Sequence, residues 1–199
     1  MKVVLASQNR HKLEEIQAIL ARYDMELVLE KDLGLSIDVE ETGTTFEENS
    51  MLKAKAVMQA TGLPTIADDS GLSVDVLGGE PGIYSARYGG DVCQSDRDRL
   101  ELLLKNLRGV RAEERTARFV SVSTLLYPDG RSIVARGTCE GVIAAEPRGT
   151  AGFGYDPVFY IPKTGRTFAE MGSEAKNAIS HRANALRRLC QLIEAQDRL

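Results

Sequence analysis

A short apolar run that ends in two adjacent carboxylates constrains this chain more than any other feature. Residues 66–71 are Ile-Ala-Asp-Asp-Ser-Gly. One interpretation is a buried strand that carries charge to a rim, where the two carboxylates can hold a hard cation such as Mg2+. The other is an Asx-type turn, because aspartate, serine and glycine all form turns readily. These six residues alone do not separate the two interpretations.

The spacing of apolar residues predicts alternating strands and helices in the first part of the chain. Residues 2–6 are nearly all apolar and predict an internal strand. After a polar turn, apolar residues recur at helical spacing, and residues 26–30 predict a second strand. The next helix is expected to run to about Ala60 from a capping box, in which Thr44 and Glu47 stand three residues apart.

Hairpins are predicted in the later part of the chain. Residues 72–77 alternate like a strand with one buried face, and the turn at 128–130 predicts a hairpin. Helices are expected after Ser95 and from about His181. Because early alternation gives way to hairpins, the predicted fold is α/β, with a mixed β-sheet and flanking helices.

Composition and charge limit the possible function classes. At 199 residues the chain fits a single domain over residues 1–199, which can have two lobes. Its three cysteines lie far apart, which argues against a zinc site and suits a reducing, cytoplasmic location. No apolar run approaches the length of about 18 residues that a membrane helix needs. The net charge is −4 without a basic block, so no binding to nucleic acid is expected.

The turn after the first strand is a candidate anion site. Ser7 and Asn9 are both suitable helix caps, and the exposed N–H groups of a helix N-terminus attract phosphate. Lys12 lies one turn into the helix and can reach the same anion. A capped helix with a surface lysine is the alternative, which these residues alone favour. His11 is assigned no acid–base role.

Further acidic residues complete a metal site only if the fold gathers them. Glu40 and Glu41 are otherwise a solvated pair, and carboxylates crowded beside Asp68 and Asp69 repel one another unless a cation lies among them. Successive strand residues face opposite sides, so one aspartate is expected to point at the site while the other binds backbone or a lysine. Lys53 either neutralises a carboxylate or a phosphate, or is an exposed helix residue.

Two later segments could recognise a purine. The segment Phe153-Gly154-Tyr155-Asp156 combines aromatic faces with flexible backbone, and stacking on a base contributes about 1–3 kcal/mol. Lys176, His181 and Arg182 add donors, which suit a 6-oxo purine rather than adenine. For the first segment, the alternative is a β-turn whose aromatic residues belong to the core. For the second, the alternative is that Ser180 only caps the last helix and that His181 and Arg182 are solvated.

Seven stretches stand in the order of the motifs of a known family. They are Ser7-x-Asn9-x-x-Lys12-x-x-Glu15, Glu41-Thr42-Gly43-x-Thr45-Phe46-x-Glu48-Asn49, Leu52-Lys53-Ala54, Ala67-Asp68-Asp69-Ser70-Gly71-Leu72, Pro81-Gly82-x-Tyr84-Ser85-Ala86-Arg87-Tyr88, Gly152-Phe153-Gly154-Tyr155-Asp156-Pro157 and Ser180-His181-Arg182. On these residues the chain resembles the inosine triphosphate pyrophosphatase family over nearly its whole length. Gln8 is a departure, since many relatives have glycine at this position of the turn.

The resemblance implies a homodimeric, Mg2+-dependent hydrolase that converts ITP, dITP and XTP to the monophosphate and pyrophosphate. It also implies an elongated, two-lobed fold with the active-site cleft between the lobes. The implied catalytic residues are Asp69, Lys12, Lys53 and Asp68. The implied metal ligands are Asp69 and either Glu40 or Glu41. The implied substrate contacts are Ser7, Gln8, Asn9, Arg10, His11, Lys12, Ser70, Phe153, Gly154, Tyr155, Asp156, Lys176, His181 and Arg182.

Direct attack of water on the α-phosphorus is the hypothesised reaction, because phosphoryl-type transfer needs positioning and charge neutralisation rather than a covalent nucleophile. Two alternatives are a Maf-like pyrophosphatase that acts on pyrimidine nucleotides and a nucleotide-binding module without turnover. Phe153 and residues 180–182 argue against the first. The acidic cluster argues against the second, since a phosphate binder gains nothing from crowded carboxylates without a metal.

Overall fold

The computed structural model describes residues 2–23 and 25–196. Within them, strands and helices follow one another in the order β1-α1-β2-α2-β3-α3-β4-β5-β6-β7-α4-α5. The strands are β1 Lys2–Ala6, β2 Glu26–Leu29, β3 Thr65–Val74, β4 Thr116–Leu126, β5 Ser132–Ile143, β6 Phe159–Ile161 and β7 Arg166–Thr167. The α-helices are α1 Arg10–Leu20, α2 Phe46–Thr61, α3 Asp96–Asn106, α4 Ser173–Ile179 and α5 His181–Gln196.

The strands form a mixed sheet in the order β2-β1-β3-β4-β5-β6-β7. β1 pairs in parallel with β2 and with β3, whereas β6 pairs antiparallel with β5 and with β7. Parallel neighbours need a crossover connection, which α1 provides between β1 and β2 and α2 provides before β3. The predicted α/β class with a mixed sheet is therefore confirmed. β1 is internal, as predicted, and its Val3, Val4 and Leu5 are buried.

The chain divides into two compact units, each with its own core. The first consists of Met1–Ser70, Ser121–Gly137 and His181–Leu199, and its core includes Leu5, Ile16 and Leu189. The second consists of Gly71–Val120 and Thr138–Ser180. Its core includes Phe119, Phe159 and Phe168, and the ring centroids of Phe119 and Phe159 lie 4.6 Å apart. The single domain over residues 1–199 stays a prediction.

Residues 68–71 lie inside β3 and not in a turn, so the Asx-turn alternative is wrong. β3 has β1 and β4 as neighbours in the sheet, and its pairing with β1 covers Thr65 to Ala67. The side chains of Asp68 and Asp69 hydrogen-bond with other side chains. The strand predicted over 72–77 is the continuation of β3, which ends at Val74 before a 3₁₀ turn at Asp75–Leu77.

Helix α2 starts one residue later than the predicted capping box. Thr45 is the N-cap, and its hydroxyl accepts a hydrogen bond from the backbone N–H of Glu48 at 3.1 Å. The carboxylate of Glu48, not that of Glu47, accepts from the backbone N–H of Thr44 at 2.6 Å. The prediction was wrong by one residue because two threonines and two glutamates stand in tandem here, and either register satisfies the pattern.

The predicted hairpin of β4 and β5 and the helices α3 and α5 are present at the expected positions. Helix α4 and strand β7 were not predicted. With 7 and 2 residues respectively, both are too short to show a hydrophobic period.

Gly137 in β5 is required by the close approach of α5. A Cβ at this position would lie 2.2 Å from the backbone N of Ala185 and 2.4 Å from the backbone O of His181. We expect Gly137→Ala to lower the free energy of unfolding, measured with urea, by about 1–3 kcal/mol, because helix backbone must shift to accommodate the methyl group. Gly172→Ala is the control, since its Cβ would meet no atom within 4 Å. An equal loss in both variants would contradict this account.

Candidate active site

Asp68 lies at the centre of a buried group of charges in the first unit. Lys12 Nζ lies 3.0 Å from its Oδ2, and Arg182 Nη2 lies 3.4 Å from the same oxygen. Ser70 donates a hydrogen bond to Oδ2 at 3.2 Å, and Ser121 donates to Oδ1. Two cations and two hydroxyls thus surround one buried carboxylate, which leaves it engaged on both oxygens.

Arg182 links this carboxylate to helix α1. The guanidinium is 1% exposed, pairs with Glu15 and donates to Ser70 Oγ at 2.9 Å. Burial acts to raise the pKa of Asp68, but Arg182 and Lys12 outweigh burial and hold that pKa well below its ordinary range. Burial acts to lower the pKa of Arg182, and the carboxylates of Asp68 and Glu15 reverse this and raise it. Both partners therefore stay charged at neutral pH.

Asp69 follows Asp68 in β3, and its side chain faces the opposite side of the strand. Its Oδ1 lies 2.7 Å from Lys53 Nζ, which also lies 2.9 Å from Oε1 of Glu41. Its Oδ2 is buried and has no hydrogen-bond partner among the described residues. Burial raises the pKa of Asp69 even though Lys53 opposes this. We expected one aspartate to bind backbone or a lysine. In the structure, Asp68 pairs with Lys12 and Asp69 pairs with Lys53.

A divalent cation fits the carboxylates on the Asp69 side of the strand. No group of three or more His, Cys, Asp or Glu side chains arranged to hold a metal occurs in the described part of the chain. Mg2+, however, is usually bound by one or two carboxylates together with substrate phosphates. Asp69 offers a buried oxygen that no described residue contacts by a hydrogen bond, and Glu41 shares Lys53 with Asp69. Of the two predicted glutamates, Glu40 is exposed.

The predicted phosphate turn leads directly into this charged group. Asn9 is the N-cap of α1, and its Oδ1 accepts from the backbone N–H of Lys12 at 3.1 Å. Ser7 Oγ accepts from the backbone N–H of Asn9 at 3.2 Å, and Gln8 donates to the carbonyl of Ile37 at 2.9 Å. Arg10 and His11 are exposed, and Arg10 pairs with Glu14. Burial lowers the pKa of Lys12 despite its contact with Asp68.

The later aromatic segment forms a second group within the second unit. Lys176 Nζ lies 2.7 Å from Oδ2 of Asp156, and both side chains are almost fully buried. The same ammonium lies 5.1 Å from the ring centroid of Phe153, whose backbone N–H donates to Asp156 at 3.0 Å. Tyr155 is buried and donates to the carbonyl of Ser85 at 2.9 Å, and the N–H of Gly154 donates to Asp96 at 3.0 Å. The segment is therefore a folded loop that is held by Asp156 from within and by contacts with Lys176, Ser85 and Asp96.

The residues at the start of α5 are buried, so the solvated alternative is wrong. His181 is 4% exposed and Arg182 is 1% exposed. Ser180 is buried as well and stands between the end of α4 and the start of α5. Arg182 contacts Asp68 of the first unit, whereas Lys176 contacts Asp156 of the second.

Sequence reasoning did not assign a role to two residues of the site. Glu15 belongs to the first motif and lies three residues after Lys12 on the same helix, which places both on one face. That spacing was the available signal. Ser121 is one of three polar residues in the otherwise apolar stretch 119–126 of β4, with Ser123 and Thr124. Only the pairing of strands brings it to Asp68.

The fold and the site define an α/β protein with a buried carboxylate–lysine centre next to a capped helix N-terminus. Comparison with known proteins extends this. The Ham1 family model matches residues 3–192. The chain therefore belongs to the Ham1 family, which confirms the resemblance carried by the seven motifs.

Individual relatives are similar over nearly their full lengths. A dITP/XTP pyrophosphatase of Thermus thermophilus is 53% identical over 191 residues, which covers 96% of this chain and 91% of the relative. The dITP/XTP pyrophosphatase of Escherichia coli K12 is 48% identical over 190 residues, covering 94% and 95%. The solved Ham1 protein of Staphylococcus aureus matches with a TM-score of 0.87 at 43% identity, covering 98% of this chain and all of that one.

Among residues 2–23 and 25–196, no helix is both long enough and apolar enough to cross a membrane.

Proposed function

We propose that this protein hydrolyses ITP, dITP and XTP to the nucleoside monophosphate and pyrophosphate, with Mg2+ as cofactor. The observation that carries the proposal is the buried Oδ2 of Asp69, which has no hydrogen-bond partner within residues 2–23 and 25–196, beside a lysine that Asp69 shares with Glu41. A charged carboxylate oxygen without a partner is unfavourable in a protein interior unless a cation or a proton reaches it. The names of the similar enzymes supply the substrate class.

The ion pairs on the two sides of β3 differ. Around Asp68, the carboxylates of Asp68 and Glu15 pair with the cations Lys12 and Arg182. Around Asp69, the carboxylates of Asp69 and Glu41 share the ammonium of Lys53. The buried Oδ2 of Asp69, which has no hydrogen-bond partner among the described residues, suits the Asp69 side to a metal. Lys12 and the α1 N-terminus suit the other side to the phosphates.

Asp69 and Glu41 would hold the metal, which supplies charge neutralisation at the phosphates and lowers the pKa of water. In the proposed reaction, a water oxygen bonds to the α-phosphorus, and the bond to the oxygen bridging the α- and β-phosphorus breaks. Asp69 accepts the proton of the water, and pyrophosphate leaves with the electron pair. Its raised pKa favours this role, because a better base lies closer to the operating pH. Lys12 and Lys53 hold the triphosphate in line.

The base is proposed to be recognised by Phe153 and its neighbours. Phe153 can stack on a purine, and Lys176 of the same unit can donate to the 6-oxo group, which adenine lacks. The role of His181 as a donor stays a prediction. Arg182 was predicted as a further donor. Its ion pairs with Asp68 and Glu15 support a role in holding the charged group of the first unit.

Pyrophosphate release from ITP tests the proposal most directly. With Mg2+ we expect ITP to give IMP and pyrophosphate, and EDTA to abolish the reaction, because the carboxylate pair then lacks its cation. UTP is the control substrate and should react at least about 10-fold more slowly, since it cannot make the purine contacts. Faster turnover of UTP would favour the Maf-like alternative, and orthophosphate as the sole product would indicate β–γ cleavage. Binding without turnover would indicate a nucleotide-binding module.

We also propose a homodimer in the cytoplasm, on the strength of the family resemblance. The three cysteines, Cys93, Cys139 and Cys190, are free and buried, which suits a reducing compartment. Sedimentation of the purified protein would test the dimer.

A further inference from the structure

The loop that carries Glu41 is attached to helix α2 by side chains that the proposed reaction does not use. Asn49 is fully buried, and its Oδ1 accepts from the backbone N–H of Gly43 at 2.8 Å. Glu48 accepts from the backbone N–H of Thr44 at 2.6 Å and from its hydroxyl at 2.9 Å. Two consecutive helix residues therefore fix two consecutive loop residues, which begin two positions after Glu41.

The lack of a side chain at Gly43 is part of this attachment. A Cβ there would lie 2.6 Å from Oδ1 of Asn49 and 2.7 Å from Cβ of Glu48. Any larger residue would push the loop away from the helix and break the hydrogen bond to Asn49. The loop backbone is thus held against the first turn of α2 at the shortest distance that packing allows.

The attachment determines where the Glu41 carboxylate lies. Glu41 contacts Lys53, which follows Asn49 by four residues and so lies on the same face of α2. Lys53 in turn contacts Asp69. We propose that Asn49 and Glu48 are positioning residues that hold Glu41 beside Asp69, so that the two carboxylates can bind one Mg2+. This inference rests on the proposed function.

Ordinary helix capping is the competing explanation, and the chain contains a matched example of it. At the start of α3, Asp98 accepts from the backbone N–H groups of Gln94 and Ser95 at 2.9 and 2.8 Å. Like Glu48, Asp98 has a pKa lowered by hydrogen bonds within its cap. The loop before α3 carries no proposed metal ligand. Removing the Asp98 side chain therefore measures the effect of helix capping alone.

The test compares Asn49→Ala, Glu48→Ala and Asp98→Ala by the Mg2+ concentration that gives half-maximal pyrophosphate release from ITP. We expect this concentration to rise about 5-fold or more in the first two variants, because Asn49→Ala loses one hydrogen bond to the loop and Glu48→Ala loses two. At saturating Mg2+, kcat should stay near the wild-type value. Asp98→Ala should leave the half-maximal Mg2+ concentration unchanged while lowering Tm about as much as the other two variants do. Glu48→Gln should have the half-maximal Mg2+ concentration of the wild type, because the amide oxygen of glutamine still accepts hydrogen bonds.

A second measurement does not depend on turnover. Mn2+ binding, followed by electron paramagnetic resonance with an ITP analogue that has methylene between the α- and β-phosphorus, should weaken by a similar factor in Asn49→Ala and Glu48→Ala. Unchanged Mg2+ and Mn2+ requirements, with only Tm reduced, would show that these residues merely cap α2. If Asn49→Ala does not fold, Glu48→Ala decides, since Glu48 is exposed. A wild-type protein that releases no pyrophosphate would instead refute the proposed function.

Discussion

Asp69→Asn is expected to lower kcat for ITP hydrolysis by about 10²–10⁴-fold while leaving the protein folded. The change removes the carboxylate that would accept the proton of the attacking water and hold the metal, and general-base contributions are of this size. Because burial raises the pKa of Asp69, its charged form is unfavourable in the folded protein at neutral pH. The amide should therefore keep Tm or raise it. Steady-state kinetics and thermal denaturation of the same preparation check both expectations.

Asp38→Asn is a suitable control for this variant, since Asp38 is an exposed aspartate in the loop before Glu41. It should leave kcat within about twofold of wild type. Full activity of Asp69→Asn would exclude Asp69 as proton acceptor and metal ligand. A fall in kcat that accompanies a loss of folded structure would contradict the expected separation of activity from stability.

Asp68→Ala is expected to lower the free energy of unfolding by about 3–5 kcal/mol, because it leaves buried cations without their counter-ion. The two cations are Lys12 and Arg182, which lie 3.0 and 3.4 Å from Oδ2. Urea denaturation at neutral pH measures the loss. Asp75→Ala is the control, since Asp75 pairs with Arg118 at the surface, where an ion pair contributes about 0–1 kcal/mol. Similar losses in the two variants would contradict the central role of Asp68.

The direction of the pKa shift of Asp68 predicts how the difference in unfolding free energy between the wild type and Asp68→Ala changes with pH. The pKa of Asp68 is depressed in the folded protein, so its contribution to stability is fully present above the ordinary aspartate pKa of about 4. As the pH falls below that value, the unfolded chain takes up a proton that the folded chain does not. The gap between the wild type and Asp68→Ala should therefore narrow between about pH 5 and pH 2.

Elements with a long hydrophobic period were predictable from the sequence. β1, α1, α3 and α5 lie where their apolar spacing placed them, because burial of one face determines such segments. Two elements, α4 and β7, are too short to carry a period. The Asx turn was a reasonable alternative for residues 68–71, and it is wrong because these residues continue strand β3, which lies between β1 and β4 in the sheet. That pairing depends on residues far away in the chain.

For the candidate site, the sequence indicated which charged residues take part, and the structure shows which of them contact one another. Lys12, Lys53 and the two aspartates were identified, but nothing in their spacing assigns Lys12 to Asp68 and Lys53 to Asp69. The hydroxyl of Ser121 reaches Asp68 from a strand that begins more than forty residues later. Arg182 was expected at a base, and the structure places it between Asp68 and Glu15.

The α/β class and the family could be predicted from the amino-acid sequence, because hydrophobic periods and ordered motifs are visible in a single chain. The folded structure was needed to show which carboxylate is enclosed by cations and which has an oxygen without a hydrogen-bond partner among the described residues. The two are neighbours of the same residue type, Asp68 and Asp69. Alternation along β3 sends them to opposite sides of the strand, and the environment on each side is built from distant segments.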